Sequence, residues 1–234
     1  MVFSVPKSIT REEAQRAIYL DFECNKDQSP SFAGTIIDDK YQATLLEDVF
    51  KPAATSKNFL QQDLSEFAQK ILKLAQTEDR VVVAWSKHEL GFLIEPTPEI
   101  EPLYRDANKL VLKFFRDRRK STIKKLNNQI NKVKTEGLWR NNKVGLKDLL
   151  QLDYVNYEYP KHLKSFSPGK ALREMRKQLI KKDGNYKKIA PGVKRAFSKM
   201  ISYNEHDCRG MIHMIDYVFS RNPADPEIGY WTLV

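Results

Sequence analysis

A chain of 234 residues with 41% hydrophobic content and a net charge of +10 can bury one large core and is too basic overall to be an acidic, solvating type of protein. Two cysteines, Cys24 and Cys208, exclude a disulfide framework, and no CxxC pair suggests structural zinc. No apolar run reaches the roughly 18 residues of a membrane span, and the opening MVFSVPKSITREEAQ lacks the apolar core of a secretion signal, so a soluble, cytoplasmic protein is expected.

The first element is a strand. Ala17 to Cys24 alternates so that Ile18, Leu20 and Phe22 share one side and Asp21 and Glu23 the other. Phe32 to Ile37 and Tyr41 to Leu46 read as two further strands around an Asp38-Asp39-Lys40 turn, which opens the fold with an antiparallel meander. A helix with Leu60, Leu64, Phe67, Ala68, Ile71, Leu72 and Ala75 on one face leads to a fourth strand, Val81 to Ala84. Ser86 and Glu89 then have the spacing of a capping box at the start of a helix, and Leu103 to Asp106 can form a fifth strand. Strands interleaved with helices in this order predict an α/β fold with a mixed sheet flanked by helices.

The second half is basic and helical. One long helix is expected over Ala107 to Val133, ending near Gly137, another over Lys170 to Lys182, and a last one from about Ser202, followed by an irregular tail from Asn222. Residues 105–134 carry a net +9 and residues 161–199 a net +11, which leaves −10 for the remainder of the +10 chain. Segregation of this kind is the footprint of a polyanion binder, since clustered lysines and arginines displace counterions condensed on phosphates. Lys113, Arg116, Arg118, Arg119, Lys120, Arg173, Arg176 and Lys177 are the expected phosphate contacts, with Trp139, Phe166 or Tyr186 as stacking platforms. The plainer alternative is a set of solvated helix faces. One domain over residues 1–234 is expected, with 107–200 as a basic helical insertion.

Asp207 raises the chemical question. It shares a helical stripe with Tyr203, Met211, Met214 and Val218, and a carboxylate turned toward an interior is ordinarily paired or bound to a metal. Asp21 and Glu23 on the first strand and Glu89 at a strand-to-helix junction are the acids it can meet. Four carboxylates in a dry cleft repel one another unless cations intervene. Hard Mg²⁺ or Mn²⁺ suits an all-oxygen donor set, and two such ions about 4 Å apart clamp both oxygens of a phosphodiester displacement. Each acid also has an ordinary structural use: a solvated strand face for Asp21 and Glu23, the capping box for Glu89, a helix N-terminus for Asp207.

At these residues the chain resembles the DEDD exonucleases of ribonuclease H-like fold. Leu20-Asp21-Phe22-Glu23 is similar to their first motif and Tyr203-Asn204-Glu205-His206-Asp207 to the Tyr-x-x-x-Asp form of their third. YNEHDCRGM in particular resembles the closing motif of a bacterial branch of predicted nucleases. In that branch Trp85 to Glu89 resembles the middle motif, while Arg105-Asp106-Ala107 and Gly145-Leu146-Lys147 resemble later Val-Asp-Leu and Ser-Leu-Lys elements.

The resemblance implies a two-metal, 3′–5′ exonuclease-like phosphodiester hydrolase acting on DNA or RNA. Asp21 would bridge both ions, Glu23 and Asp207 would complete the site of the attacking water, and Glu89 would serve the second ion. Asp106 is the alternative third carboxylate, because the family places an aspartate after an Asn and an aromatic where this chain has Glu89 after His88. Tyr203 would hydrogen-bond the water or the scissile phosphate. His206 competes as general base, although its helical position turns it about 100° from Asp207. The other readings are a nucleic-acid-binding module that keeps the fold without metal chemistry, and a basic scaffold protein that needs no carboxylate cluster.

Overall fold

Alternation along the first strand does what it predicts. In β1 (Ile18–Cys24) the side chains of Ile18, Leu20 and Phe22 join one core, while Tyr19 joins a second core on the face that carries Asp21 and Glu23. The structure, a computed structural model, describes residues 8–24, 29–135 and 144–221, with the backbone alone for 129–135. A short helix, α1 (Arg11–Arg16), precedes β1 and is closed by a Thr10–Glu13 capping box. Strands β2 (Pro30–Ile37) and β3 (Lys40–Leu45) complete the meander. Asp38 and Asp39 turn the hairpin with φ of 48° and 63°, the left-handed region that short Asx side chains tolerate.

Helix α2 (Lys51–Lys57) leads to β4 (Leu60–Gln61), a short edge strand parallel to β3. Leu60, expected on a helix, therefore belongs to the sheet; α3 (Leu64–Thr77) starts later because the Asp63 side chain caps it and Glu66 completes the box. The chain returns through β5 (Val82–Ala84), α4 (Lys87–Ile94) and β6 (Tyr104–Asp106). These strands extend the sheet to the order β4-β3-β2-β1-β5-β6, in which β5 runs parallel to both β1 and β6. The protein is thus α/β, with a six-stranded mixed sheet flanked by helices.

The expected long helix is two helices, α5 (Ala107–Arg118) and α6 (Lys120–Thr135), broken at Arg119, whose ψ of 45° leaves the helical range. No apolar side chain lies between Phe115 and Ile123 to anchor this stretch, and Arg116, Arg119 and Lys120 would stack like charges along one face. The expected end at Gly137, and the tail from Asn222, lie outside the described residues.

After α7 (Leu146–Leu150) and α8 (Pro168–Lys181) comes α9 (Pro191–Ser220), 30 residues long. Its start is eleven residues earlier than the expected Ser202. Pro191 opens it, since proline at the first helical position has no hydrogen bond to lose. Asp207 is consequently mid-helix, and the helix-terminus explanation of its charge is removed.

Helices α5, α7 and α9 cover the Tyr19 face through Leu110, Val111, Phe114, Leu149, Leu150, Met211 and Ile215. The opposite face packs α3 and α4. A third cluster joins Phe32, Leu45 and Phe50 to Leu172 and Met175 of α8 and Phe197 and Met200 of α9. Much of 107–200 is therefore built into the cores of the sheet. Among the described residues no helix is long and apolar enough to cross a membrane.

Candidate metal centre

Two close approaches position α9. The first is at Gly34 in β2, which lies opposite Asp21 of β1. A Cβ there would fall 1.7 Å from Asn204 Oδ1 and 2.9 Å from the Tyr41 ring, so only glycine lets Asn204 enter. Asn204 is fully buried and uses both ends of its amide: Nδ2 donates to Asp21 Oδ2 (2.8 Å) and to the Asp21 carbonyl (3.2 Å), while Oδ1 accepts from Tyr41 Oη (3.0 Å). The second is at Gly210, where a Cβ would meet Leu150 Cδ1 at 2.5 Å; this packs α7 against α9.

These contacts bring Asp21, Glu23 and Asp207 together, each with a carboxylate oxygen within 4.8 Å of the others. They lie 186 residues apart in sequence at the extremes and come from one strand and one helix. Asp207 is held at both oxygens. Tyr159 Oη donates to Oδ1 (2.9 Å) and Lys147 Nζ lies 3.2 Å from Oδ2. The same ammonium stands 3.6 Å from the centroid of the Tyr203 ring.

Burial and mutual repulsion set the electrostatics. Burial pushes the Asp21 carboxyl well above the usual carboxylate range, with Glu23, Asp207 and Glu89 adding to it and Lys147 opposing. Glu23 is pushed up to about 8, by burial and by Asp207, against Lys147 and the Asn204 hydrogen bond. Asp207 is also raised by burial, with Lys147 and Tyr159 holding it back. Three acids that resist ionisation together around one ammonium are a donor set that could hold a cation. Their donors are all oxygen, the choice of Mg²⁺ or Mn²⁺ rather than of a thiophilic ion. Cys208 is deeply buried with its thiol toward the Gly34 carbonyl, 3.7 Å away.

Two expected carboxylates do not join the group. Glu89 closes the capping box of α4: its Oε2 accepts from the Ser86 amide (3.1 Å) and hydroxyl (2.8 Å), although its charge still reaches Asp21. Asp106 caps α5 by accepting from the Lys109 amide at 3.1 Å. Tyr203 lies under Lys147 with its ring against Phe166, centroids 5.7 Å apart, and only 8% exposed. His206 faces Tyr157, whose Oη lies 3.3 Å from Nδ1, and burial lowers its pKa.

The basic residues divide between two places. Gly169 at the start of α8 packs on the carbonyl of Cys24, the end of β1, and a Cβ there would lie 3.4 Å from Arg173 Nη1. Arg173 is therefore near the end of β1, with Lys177 exposed one turn on and Arg176 engaged by Glu47 at 3.0 Å. Arg116, Arg118, Arg119 and Lys120 are exposed at the other end of α5, and Lys113 is half-buried. Arg119 lies over Tyr154, which neighbours Tyr217, and Tyr217 is ten residues beyond Asp207, about 15 Å along α9. Phe166 is half-buried between Tyr203 and Lys199, and Tyr186 packs under Lys194; Trp139 lies outside the described residues.

Asn204, Tyr159 and Tyr41 are site residues that the sequence reading does not anticipate, and Lys147 enters it through a motif without a role. Asn204 has a readable signal, since it interrupts the stripe Phe197, Met200, Cys208, Met211 and Ile215, where a polar side chain must find a buried partner. No protein-family model, curated protein or solved structure matches the chain.

Gly34→Ala is expected to lower stability by about 1–3 kcal/mol, as overpacking does where the neighbour is a fixed amide, and to displace Asn204 from Asp21. Denaturant unfolding measures the first effect. A stability unchanged within about 0.5 kcal/mol would mean that α9 does not depend on this close approach.

Proposed function

We propose that the protein is a metal-dependent nuclease of ribonuclease H-like architecture that hydrolyses phosphodiester bonds from an end or along a single strand of DNA or RNA. The observation that carries this reading is the convergence of Asp21, Glu23 and Asp207 at a partly buried point with oxygen atoms within 4.8 Å. A strand Asp-x-Glu and a late helical Tyr-x-x-x-Asp in this order, and a sheet in which β1 lies between an antiparallel meander and parallel strands, agree with the family resemblance. Arg173 near the end of β1, with Lys177 exposed one turn further along α8, suits a polyanionic substrate. Cys24 and Cys208 are not joined in a disulfide, which fits a cytoplasmic setting.

Asp21, Glu23 and Asp207 are the residues to hold Mg²⁺ or Mn²⁺. Such a cation polarises a phosphoryl oxygen and lowers the pKa of bound water. The chain's own contribution is order. Asn204 fixes the Asp21 carboxylate, Tyr159 and Lys147 fix that of Asp207, and none has to reorganise when substrate arrives. Hydrolysis adds hydroxide to phosphorus and a proton to the leaving oxygen.

Manganese-dependent shortening of end-labelled single-stranded oligonucleotides is expected for wild type and not for Asp21→Ala. If both proteins bind the oligonucleotide and neither cuts it, the protein is a binding module of the same fold and the enzymatic reading is wrong.

A further inference from the structure

Resting on the nuclease reading, we propose that Lys147 takes the place of a second cation, so that the centre works with one divalent ion beside a fixed ammonium. Three observations converge on this residue. The first is position: Nζ lies 3.2 Å from Asp207 Oδ2, 3.6 Å from the Tyr203 ring centroid and 5.9 Å from that of Tyr159. One carboxylate oxygen and two π faces hold an ammonium in a defined spot, and its three N–H donors are not all used by Asp207.

The second is rigidity. Lys147 is carried on α7, a five-residue helix whose Leu146, Leu149 and Leu150 are all in the core. The Gly145 amide is capped by Asp148 Oδ2 at 2.9 Å, and Leu150 packs against the bare Cα of Gly210, one turn beyond Asp207 on α9. The side chain that carries the charge thus starts from a backbone locked to the same helix as its partner.

The third is charge balance. Three carboxylates and one ammonium sum to −2 when ionised, which one divalent ion neutralises. In the two-ion arrangement that the resemblance implies, Glu89 is the fourth carboxylate, and it is committed to the Ser86 cap. Lys147 carries the missing positive charge instead. Held beside Asp207, it can donate to a non-bridging phosphate oxygen and offset the charge that builds there as the water oxygen bonds to phosphorus and the leaving oxygen departs with a proton.

The test combines Mn²⁺ titration calorimetry with cleavage of an end-labelled oligonucleotide, on wild type, Lys147→Met and Lys147→Arg. Wild type and Lys147→Arg are expected to bind one Mn²⁺ per chain. Lys147→Met keeps the stem that packs on Tyr203 but loses the charge. It is expected to bind Mn²⁺ about tenfold more tightly or better, because a like charge has left the site, and yet to cleave at least about 100-fold more slowly.

Tighter binding with slower turnover is an opposition that a merely structural lysine would not produce. Two ions per wild-type chain, unchanged Mn²⁺ affinity in Lys147→Met, or Lys147→Met cleavage within about threefold of wild type would each overturn the proposal. If Lys147→Met fails to fold, the wild-type and Lys147→Arg stoichiometries decide. A wild type that binds one Mn²⁺ and cuts nothing overturns the nuclease reading, while the stoichiometry and the affinity shift still support the lysine's place. A wild type that binds no Mn²⁺ overturns both.

Discussion

Asp21→Asn is expected to make the metal-free protein more stable and to abolish its response to Mn²⁺. Asp21 is surrounded by burial and by the charges of Glu23, Asp207 and Glu89, all of which oppose its ionised form. An asparagine keeps an acceptor for the Asn204 amide and removes that conflict. Relief of buried like-charge repulsion is worth about 1–3 kcal/mol, or roughly 3–8 °C in Tm for a domain of this size. Cleavage should fall by about 10³-fold or more, equivalent to roughly 4 kcal/mol of transition-state stabilisation. Thermal melts with and without Mn²⁺, alongside the oligonucleotide assay, measure all three quantities. An Asp21→Asn variant that melts below wild type, or that is still stabilised by Mn²⁺, would show that the carboxylates are not gathered to hold an ion.

The second large effect is a dependence of stability on pH that runs against the usual acid lability. Glu23 in the folded chain titrates at about 8 rather than 4.5, and Asp21 and Asp207 are raised in the same direction. Between those limits the folded chain holds protons that the unfolded chain has released. Unfolding therefore becomes easier as pH rises; the contribution is complete below about pH 4 and lost toward about pH 8. A divalent ion competes with the same protons, so its stabilising effect grows over the interval in which the metal-free protein weakens. Melting curves at about pH 5.5 and about pH 8 should show a lower metal-free Tm at the higher value and a larger Mn²⁺ shift there. A metal-free Tm that rises steadily between those two pH values would contradict this assignment of the protons.

How far the sequence carries these conclusions differs from residue to residue. Asp21 and Glu23 are readable because strand alternation is a local property, and the residues that flank them, Leu20 and Phe22, commit the opposite face to a core. Asp207 is readable because an acid on an apolar helical stripe demands a partner. Glu89 is equally visible as a cap and as a ligand, and only the position of the Ser86 hydroxyl decides between them.

Lys147 is different in kind. Its neighbours in sequence are apolar core residues, Leu146 and Leu149, which mark it as the outward side of a short helix. What that outward side faces is set by α7 docking on α9, a contact between segments some sixty residues apart. The true start of α9 has its own local signals, since Pro191 suits a first helical turn and Phe197 and Met200 continue the apolar period across the expected boundary.

The last helix supplies Asp207, Asn204 and Tyr203, whereas the first strand supplies the other two acids. Synthesis must therefore proceed through α9 before the three carboxylates can meet. Until then Asp21 and Glu23 lie on an uncovered sheet face, where water solvates them and their negative charge keeps that face from sticking to itself. The same two side chains exchange water for a partly enclosed, like-charged setting only when the thirty-residue rod of α9 closes over them.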